Sequence, residues 1–145
     1  MSVAVVVYSE TGTTLSVARR IVGDLEAAGV PTELIRVSPG SPTVDLVGYR
    51  AVVFGAPVRG FNLAPPMAAF IARCGGLSGL KAYCYVTQAF PFKAWGGSQA
   101  LARMAGLCRA KGAKPCLLDV VSRSRGRERA TVRIATGIVN AFAQP

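Results

Sequence analysis

The sequence has no histidine, and its 145 residues carry only 7 acids against 17 lysines and arginines. Without histidine, the commonest metal ligand and general base is missing. Cys74, Cys84, Cys108 and Cys116 form no C-x-x-C pair, so no zinc centre is expected. Paired disulfides would be unusual in an intracellular chain, and the four read as buried thiols packing as small hydrophobes. The loops hold no paired acid and base, which leaves no residues for acid–base or nucleophilic catalysis. No apolar run approaches the roughly 20 residues that span a bilayer, and the N-terminus lacks the basic, apolar, small-residue order of a signal peptide. A cytoplasmic protein with no membrane partner is expected. Two phosphate-binding signatures are absent as well: there is no G-x-x-x-x-G-K-(S/T), and no G-x-G-x-x-G follows the first apolar run.

What is present begins at Val3. Val3 to Tyr8 is a near-continuous apolar run, the pattern of a parallel strand buried on both faces. It stops at Ser9-Glu10-Thr11-Gly12-Thr13-Thr14, and an amphipathic helix follows. Leu15, Ala18, Ile21, Val22 and Leu25 fall on one side of it, and Arg19, Arg20, Asp24 and Glu26 mostly on the other. Strand, hydroxyl-rich loop and helix N-terminus together make an anion site, because free backbone N–H groups and the positive helix end converge. Gly12 lets the backbone approach a phosphate with no side chain between them. Capping a helix takes one hydroxyl, whereas Ser9, Thr11, Thr13 and Thr14 crowd this turn. With no lysine in the loop, a single terminal phosphate suits it better than a triphosphate.

The rest of the chain alternates strands and helices. A hydrophobic fraction of 51% suits one domain, residues 1–145, with its own core. Thr32 to Val37 reads as a short edge strand, Tyr49 to Ala56 as the second buried strand, Lys81 to Thr87 as the next and Pro115 to Val121 as the last. Helices are expected from Pro65-Pro66 through Met67, Phe70 and Ile71, from Ser98 to Lys111, and from Arg129 to Phe142. Val44 to Val47 is too short to assign, and Pro57 to Ala64 and Gln88 to Gly97 read as loops. Asp119 reads as a surface or helix-entry acid. About five βα repeats without a linker imply an α/β, doubly wound, five-stranded parallel sheet with helices on both faces, three layers in all. Right-handed crossovers bring the ends of the first, third and fourth strands to one edge, where a ligand binds at the switch point.

Ser9-Glu10-Thr11-Gly12-Thr13-Thr14 after a buried first strand resembles the FMN-phosphate loop of flavodoxins, (S/T)-x-T-G-x-T. Gly55-Ala56-Pro57-Val58-Arg59-Gly60-Phe61-Asn62-Leu63 is similar to that family's first flavin loop, a G-(S/T)-P pattern, and Thr87-Gln88-Ala89-Phe90-Pro91-Phe92 stands where its second does. The resemblance covers nearly the whole chain. It implies strand order 2-1-3-4-5, the short-chain form with no insertion in the last strand, and FMN as cofactor. It places Ser9, Glu10, Thr11, Gly12, Thr13 and Thr14 at the phosphate, and Pro57, Val58, Arg59, Gly60, Phe61 and Asn62 in the first loop. Thr87, Gln88, Ala89, Phe90, Phe92 and Trp95 fall in the second. An isoalloxazine ring needs apolar or aromatic walls; Phe61, Phe90, Phe92 or Trp95 could supply them, with Trp95 and Phe61 the leading choices. Gly60 either supplies the peptide whose carbonyl turns toward flavin N5, as the family's glycine does, or makes an ordinary turn.

Two functions follow from the resemblance. One is an FMN-binding electron-transfer protein, a one-electron carrier that presents its flavin to redox partner proteins. The other is an NAD(P)H-dependent quinone or flavin reductase of the same superfamily. The chain is compact and lacks the inserted segments of such reductases, which favours the carrier, and a monomer. Flavodoxins are usually strongly acidic, whereas this chain has a net charge of +10. A basic surface suits acidic redox partners or NADPH. Arg123, Arg125, Arg127, Arg129 and Arg133 form a candidate contact; the same run could equally be a solvated helix face far from the flavin. None of the motifs that read DNA or RNA is present.

Overall fold

The computed structural model describes residues 2–10, 12–42, 44–89, 92 and 96–143, apart from the side chains of Leu117 and Ala143. The chain runs β1 (Val3–Val7), α1 (Thr13–Ala27), β2 (Thr32–Arg36), β3 (Ala51–Arg59), β4 (Asn62–Leu63), α2 (Pro65–Arg73), β5 (Lys81–Gln88), α3 (Gly97–Ala110), β6 (Lys114–Ser122) and α4 (Arg127–Ala143). All five residues of β1 are buried because β2 and β3 flank it, both parallel to it. β5 and β6 extend the sheet beyond β3, also in parallel. The order is β2-β1-β3-β5-β6, with β4 pairing only with β3. Setting aside that small hairpin strand, this is the 2-1-3-4-5 order expected of a doubly wound flavodoxin-like fold.

Residue alternation along each strand feeds two separate cores. Val3, Val5 and Val7, with Val53, Tyr83 and Tyr85, pack under Val17 and Ile21 of α1 and Ile134 and Ile138 of α4. Ala4 and Val6, with Phe54, Cys84 and Val86, face Met67 and Ile71 of α2 and Met104 and Cys108 of α3. Removing one such large side chain from water contributes roughly 1.5–3 kcal/mol. A sheet covered on both faces can draw on this at nearly every position, which is why the central strands are apolar without interruption.

Two segments depart from the sequence reading. Pro57 to Arg59, expected in a loop, continue β3, and the chain returns through β4 with Val58 opposite Leu63 and Arg59 opposite Asn62. Gly60 (φ 57°) and Phe61 (φ 63°) form the tip. Positive φ at both central residues belongs to the tight turn usually written Asn-Gly, so a phenylalanine there gives no turn signal. The second departure is Asp119. The β5–β6 register steps from Cys84 opposite Leu117 to Tyr85 opposite Asp119, leaving Leu118 as the extra residue of a bulge. Asp119 is 8% exposed and accepts hydrogen bonds from Nε (3.0 Å) and Nη2 (2.5 Å) of Arg133. The expected surface acid is therefore a buried carboxylate tied to α4.

Candidate functional site

The carboxyl ends of β1, β3 and β5 open onto one edge of the sheet. At the end of β1, Gly12 is the N-cap of α1 at φ 93° and offers no capping side chain of its own; glycine enters that left-handed region without strain. Thr13 and Thr14 lie inside the helix, which excludes them as its cap. Ser9 Oγ accepts the N–H groups of Gly12 (3.1 Å) and Leu15 (3.3 Å). Those bonds occupy the lone pairs and leave the hydroxyl proton free to be donated. Among the described residues, no acceptor takes the N–H groups of Thr13 and Thr14. First-turn donors and a hydroxyl proton at a positive helix end fit an anion.

Thr13 and Thr14 are both buried, and Thr14 is fixed from across the sheet. Its Oγ1 lies 2.7 Å from Oγ1 of Thr87, and Tyr85 Oη donates to its carbonyl at 2.8 Å. The anion turn and the carboxyl end of β5 are thus held as one unit. Thr87 was a sequence candidate and Tyr85 was not, because an aromatic within an apolar strand reads as core. Complete burial raises the pKa of Tyr85, so it serves as a neutral donor. Its ring lies across Gly55: a Cβ on that glycine would stand 2.2 Å from Tyr85 Cζ. This glycine of the β3 motif is required by the tyrosine.

Pro57, Val58 and Arg59, with Glu10, Thr87, Ala89 and Arg123, line a cavity of about 250 Å³. A neighbouring cavity of about 190 Å³ is lined by Val58, Gly60, Phe61, Gln88 and Ala89, sharing Val58 and Ala89 with the first. The structure therefore brings together residues from all three predicted groups. Asn62 lines neither cavity, and its Oδ1 accepts the N–H of Leu63 at 2.7 Å. Thr11, Phe90 and Trp95 lie outside the described residues. Phe92 is 51% exposed, and its carbonyl accepts from Gln88 Nε2 at 2.8 Å. Phe61 is 61% exposed, and its backbone rests against the start of α3, where a Cβ on Gly96 would come within 2.7 Å of Phe61 Cα. Arg123 belongs to the run that reads in the sequence as a partner contact or a solvated helix face far from the flavin. Its N–H donates to the Gln88 carbonyl at 2.8 Å, which carries the β5–β6 pairing one step further and turns Arg123 into the site.

Arg59 does not stand alone at the mouth. It forms an ion pair with Glu10 of the anion turn, and the hydrogen bond to that carboxylate raises the pKa of its guanidinium. The pair spans β1 and β3, so the acid nearest the anion turn is offset by a base from the adjoining loop.

A family model described as a flavodoxin domain matches residues 4–90, the segment that includes the anion turn and β3 and runs to the residue after Ala89. No curated protein matches the chain. Among solved structures, oxidised Flavodoxin 2 from Bacillus cereus is similar at a TM-score of 0.73 and 15% identity, covering 99% of each chain. A flavodoxin variant from Fusobacterium nucleatum bound to flavin mononucleotide is similar at a TM-score of 0.74 and 12% identity, covering 97% of this chain and 96% of that one. A flavodoxin, WrbA-like protein from Agrobacterium tumefaciens is similar at 0.72 and 15% identity, covering 99% of each. At such identities the structures establish a shared fold, and the domain match establishes the family. Among the described residues, no helix is long and apolar enough to cross a membrane.

Proposed function

The chain belongs to the flavodoxin family, and on that footing we propose that it binds FMN and acts as a one-electron carrier between redox proteins. The observation that carries this reading is the β1–α1 turn. There Ser9 takes the N–H groups of Gly12 and Leu15, while those of Thr13 and Thr14 have no acceptor among the described residues. Ser9, Thr11 and Thr13, with these backbone donors, hold the terminal phosphate. Thr14 positions the turn through Thr87 and Tyr85. The two adjoining cavities receive the ring system, with Val58, Ala89 and Phe61 as apolar walls. Arg59 keeps the charge of Glu10 from opposing the phosphate. Gly60 gives the hairpin tip the freedom to turn a carbonyl toward the ring. When bound, the flavin supplies the electron chemistry; the residues of this chain bind it, orient it and limit its contact with water.

The test is the visible absorption spectrum of the purified protein, followed by titration with FMN and with riboflavin. A hydrogen bond to a charged group is worth roughly 1.5–3 kcal/mol, so Thr11→Ala combined with Thr13→Ala should weaken FMN at least about tenfold and barely affect riboflavin. Equal loss for both ligands would mean that the phosphate is not held in this turn. A protein that takes up no FMN would end the reading altogether. A second reading, an NAD(P)H-dependent reductase, is favoured by the arginines beside the flavin cavity. Steady-state NAD(P)H oxidation by the FMN-loaded protein, with and without a quinone, separates the two.

A further inference from the structure

Six arginines stand at the carboxyl edge of the sheet, and the acids there neutralise only some of them. Glu10 is paired with Arg59, Asp119 with Arg133, and Glu128 with Arg20 of α1. Among the described residues, no carboxylate lies within ion-pair distance of Arg123, Arg125, Arg127 or Arg129, and all four are exposed. Arg123 lines the larger flavin cavity. Arg125, Arg129 and Arg133 line a further cavity of about 150 Å³ with Gln88 and Ser122, next to it. Exposed rings occupy another part of the same edge. Phe61 lines the smaller flavin cavity at 61% exposure, and Phe92 is 51% exposed. Phe61 also holds a left-handed backbone conformation, which bulky L-residues seldom adopt.

An apolar centre with a charged flank is the anatomy of a protein interface, and rim charges of one sign steer a partner of the other. The charges also fan out. Arg127 and Arg129 are two residues apart on α4, so they point about 200° from each other around the helix. Arg133, which does face the small cavity, is already held by Asp119. One phosphate group could not engage this set, whereas a spread of carboxylates could.

We propose that this face docks an acidic protein. Phe61 and Phe92 meet the apolar surface around the partner's redox centre, and Arg123, Arg125 and Arg129 meet its carboxylates. The proposal rests on the carrier reading and names the kind of partner that reading requires.

The experiment uses the FMN-loaded full chain and, as probe, a reduced plant-type 2Fe–2S ferredoxin, an acidic protein that gives up one electron from its cluster to the flavin. Transfer is followed by stopped-flow absorbance from about 0.01 M to about 1 M salt, over which the Debye length falls from about 30 Å to about 3 Å. The rate constant should fall at least about tenfold across that range. Arg125→Glu with Arg129→Glu should slow low-salt transfer by about tenfold or more, leaving the high-salt rate, FMN affinity and reduction by dithionite unchanged. Arg129 lies in the first turn of α4, where an acid suits the helix dipole, so misfolding does not account for such a loss. Arg109→Glu with Lys114→Glu changes the net charge equally at the opposite edge, near the end of α3 and the start of β6, and should slow transfer by less than about twofold. Equal slowing by both pairs, or indifference to salt with FMN still bound, would overturn the docking surface and leave the carrier reading standing. If reversing Arg125 and Arg129 raised the KM for NADPH and left ferredoxin transfer unchanged, the arginines would serve a nucleotide, and the proposal would again fall. A wild-type protein that binds no FMN would remove the carrier reading, and the docking proposal with it.

Discussion

Gly55→Ala separates a glycine kept for the flavin from one kept for the fold. A Cβ at this position would lie 2.2 Å from Cζ and 2.3 Å from Oη of Tyr85, whereas carbon atoms rest at roughly 3.5–4.0 Å. The ring must move, and it sits fully buried with its hydroxyl bonded to the Thr14 carbonyl at 2.8 Å. Overpacking of this kind costs about 1–3 kcal/mol, and leaving the buried Tyr85 hydroxyl without its acceptor costs about 1–3 kcal/mol more. A loss of about 2–6 kcal/mol is thus expected, against a total that for such domains is about 5–15 kcal/mol. Urea unfolding of the FMN-free protein measures it, because the loss comes from Tyr85 and Thr14 whether or not cofactor is bound. Tyr85→Leu vacates the space that the new methyl needs. The double variant Gly55→Ala/Tyr85→Leu should therefore be more stable than the sum of the single losses predicts, by about 1–3 kcal/mol. Additivity within about 0.5 kcal/mol, or a Gly55→Ala protein as stable as wild type with weakened FMN binding, would refute the reasoning and return Gly55 to the flavin.

Two further outcomes follow from groups around and below the site. Glu10→Gln leaves Arg59 without its partner and should raise the midpoint potential of the bound flavin, since reduction adds negative charge. Arg59→Ala leaves Glu10 unpaired and should lower it. Spectroelectrochemical titration should show shifts of opposite sign that shrink as salt is added, and shifts of one sign would disprove a compensating pair. Burial pushes the Cys74 thiol from 9.0 up to about 11, and burial also raises Tyr83. Because each folded-state value lies above the unfolded one, the associated stability is whole below the unfolded pKa and is lost as pH rises through the folded one. Urea midpoints should therefore decline between about pH 9 and 11 for the thiol, and Cys74→Ala should flatten that limb relative to its own value at neutral pH.

Much of the edge was legible because its signals are local. Six apolar residues from Val3 to Tyr8, followed by a turn with four hydroxyls, mark a buried strand that leads into a hydroxyl-rich turn and a helix, without reference to any distant residue. The helices announce themselves by their apolar faces, the βα alternation implies a parallel sheet, and the strand order came from the resemblance to flavodoxins. What escaped is non-local. The bonds from Thr14 to Thr87 and Tyr85 join residues 73 and 71 positions apart, and the Gly55–Tyr85 contact depends on their facing each other in register. The bulge at Leu118 was hidden for a related reason: Cys116, Leu117 and Leu118 are apolar in succession, so no polar–apolar alternation shows where the parity changes. Asp119 consequently read as a surface acid, although the bulge turns it toward Arg133. The hairpin turn at Gly60-Phe61 escaped because a phenylalanine holds the second left-handed position, where glycine is usual. Nothing near Arg59 in the sequence marks it as half of an ion pair. Its partner Glu10 lies 49 residues earlier, and only the meeting of the β1 and β3 ends at the switch point joins them. Legibility therefore ran out where one loop had to be positioned against another, which is also where charge balance at the candidate flavin site is decided.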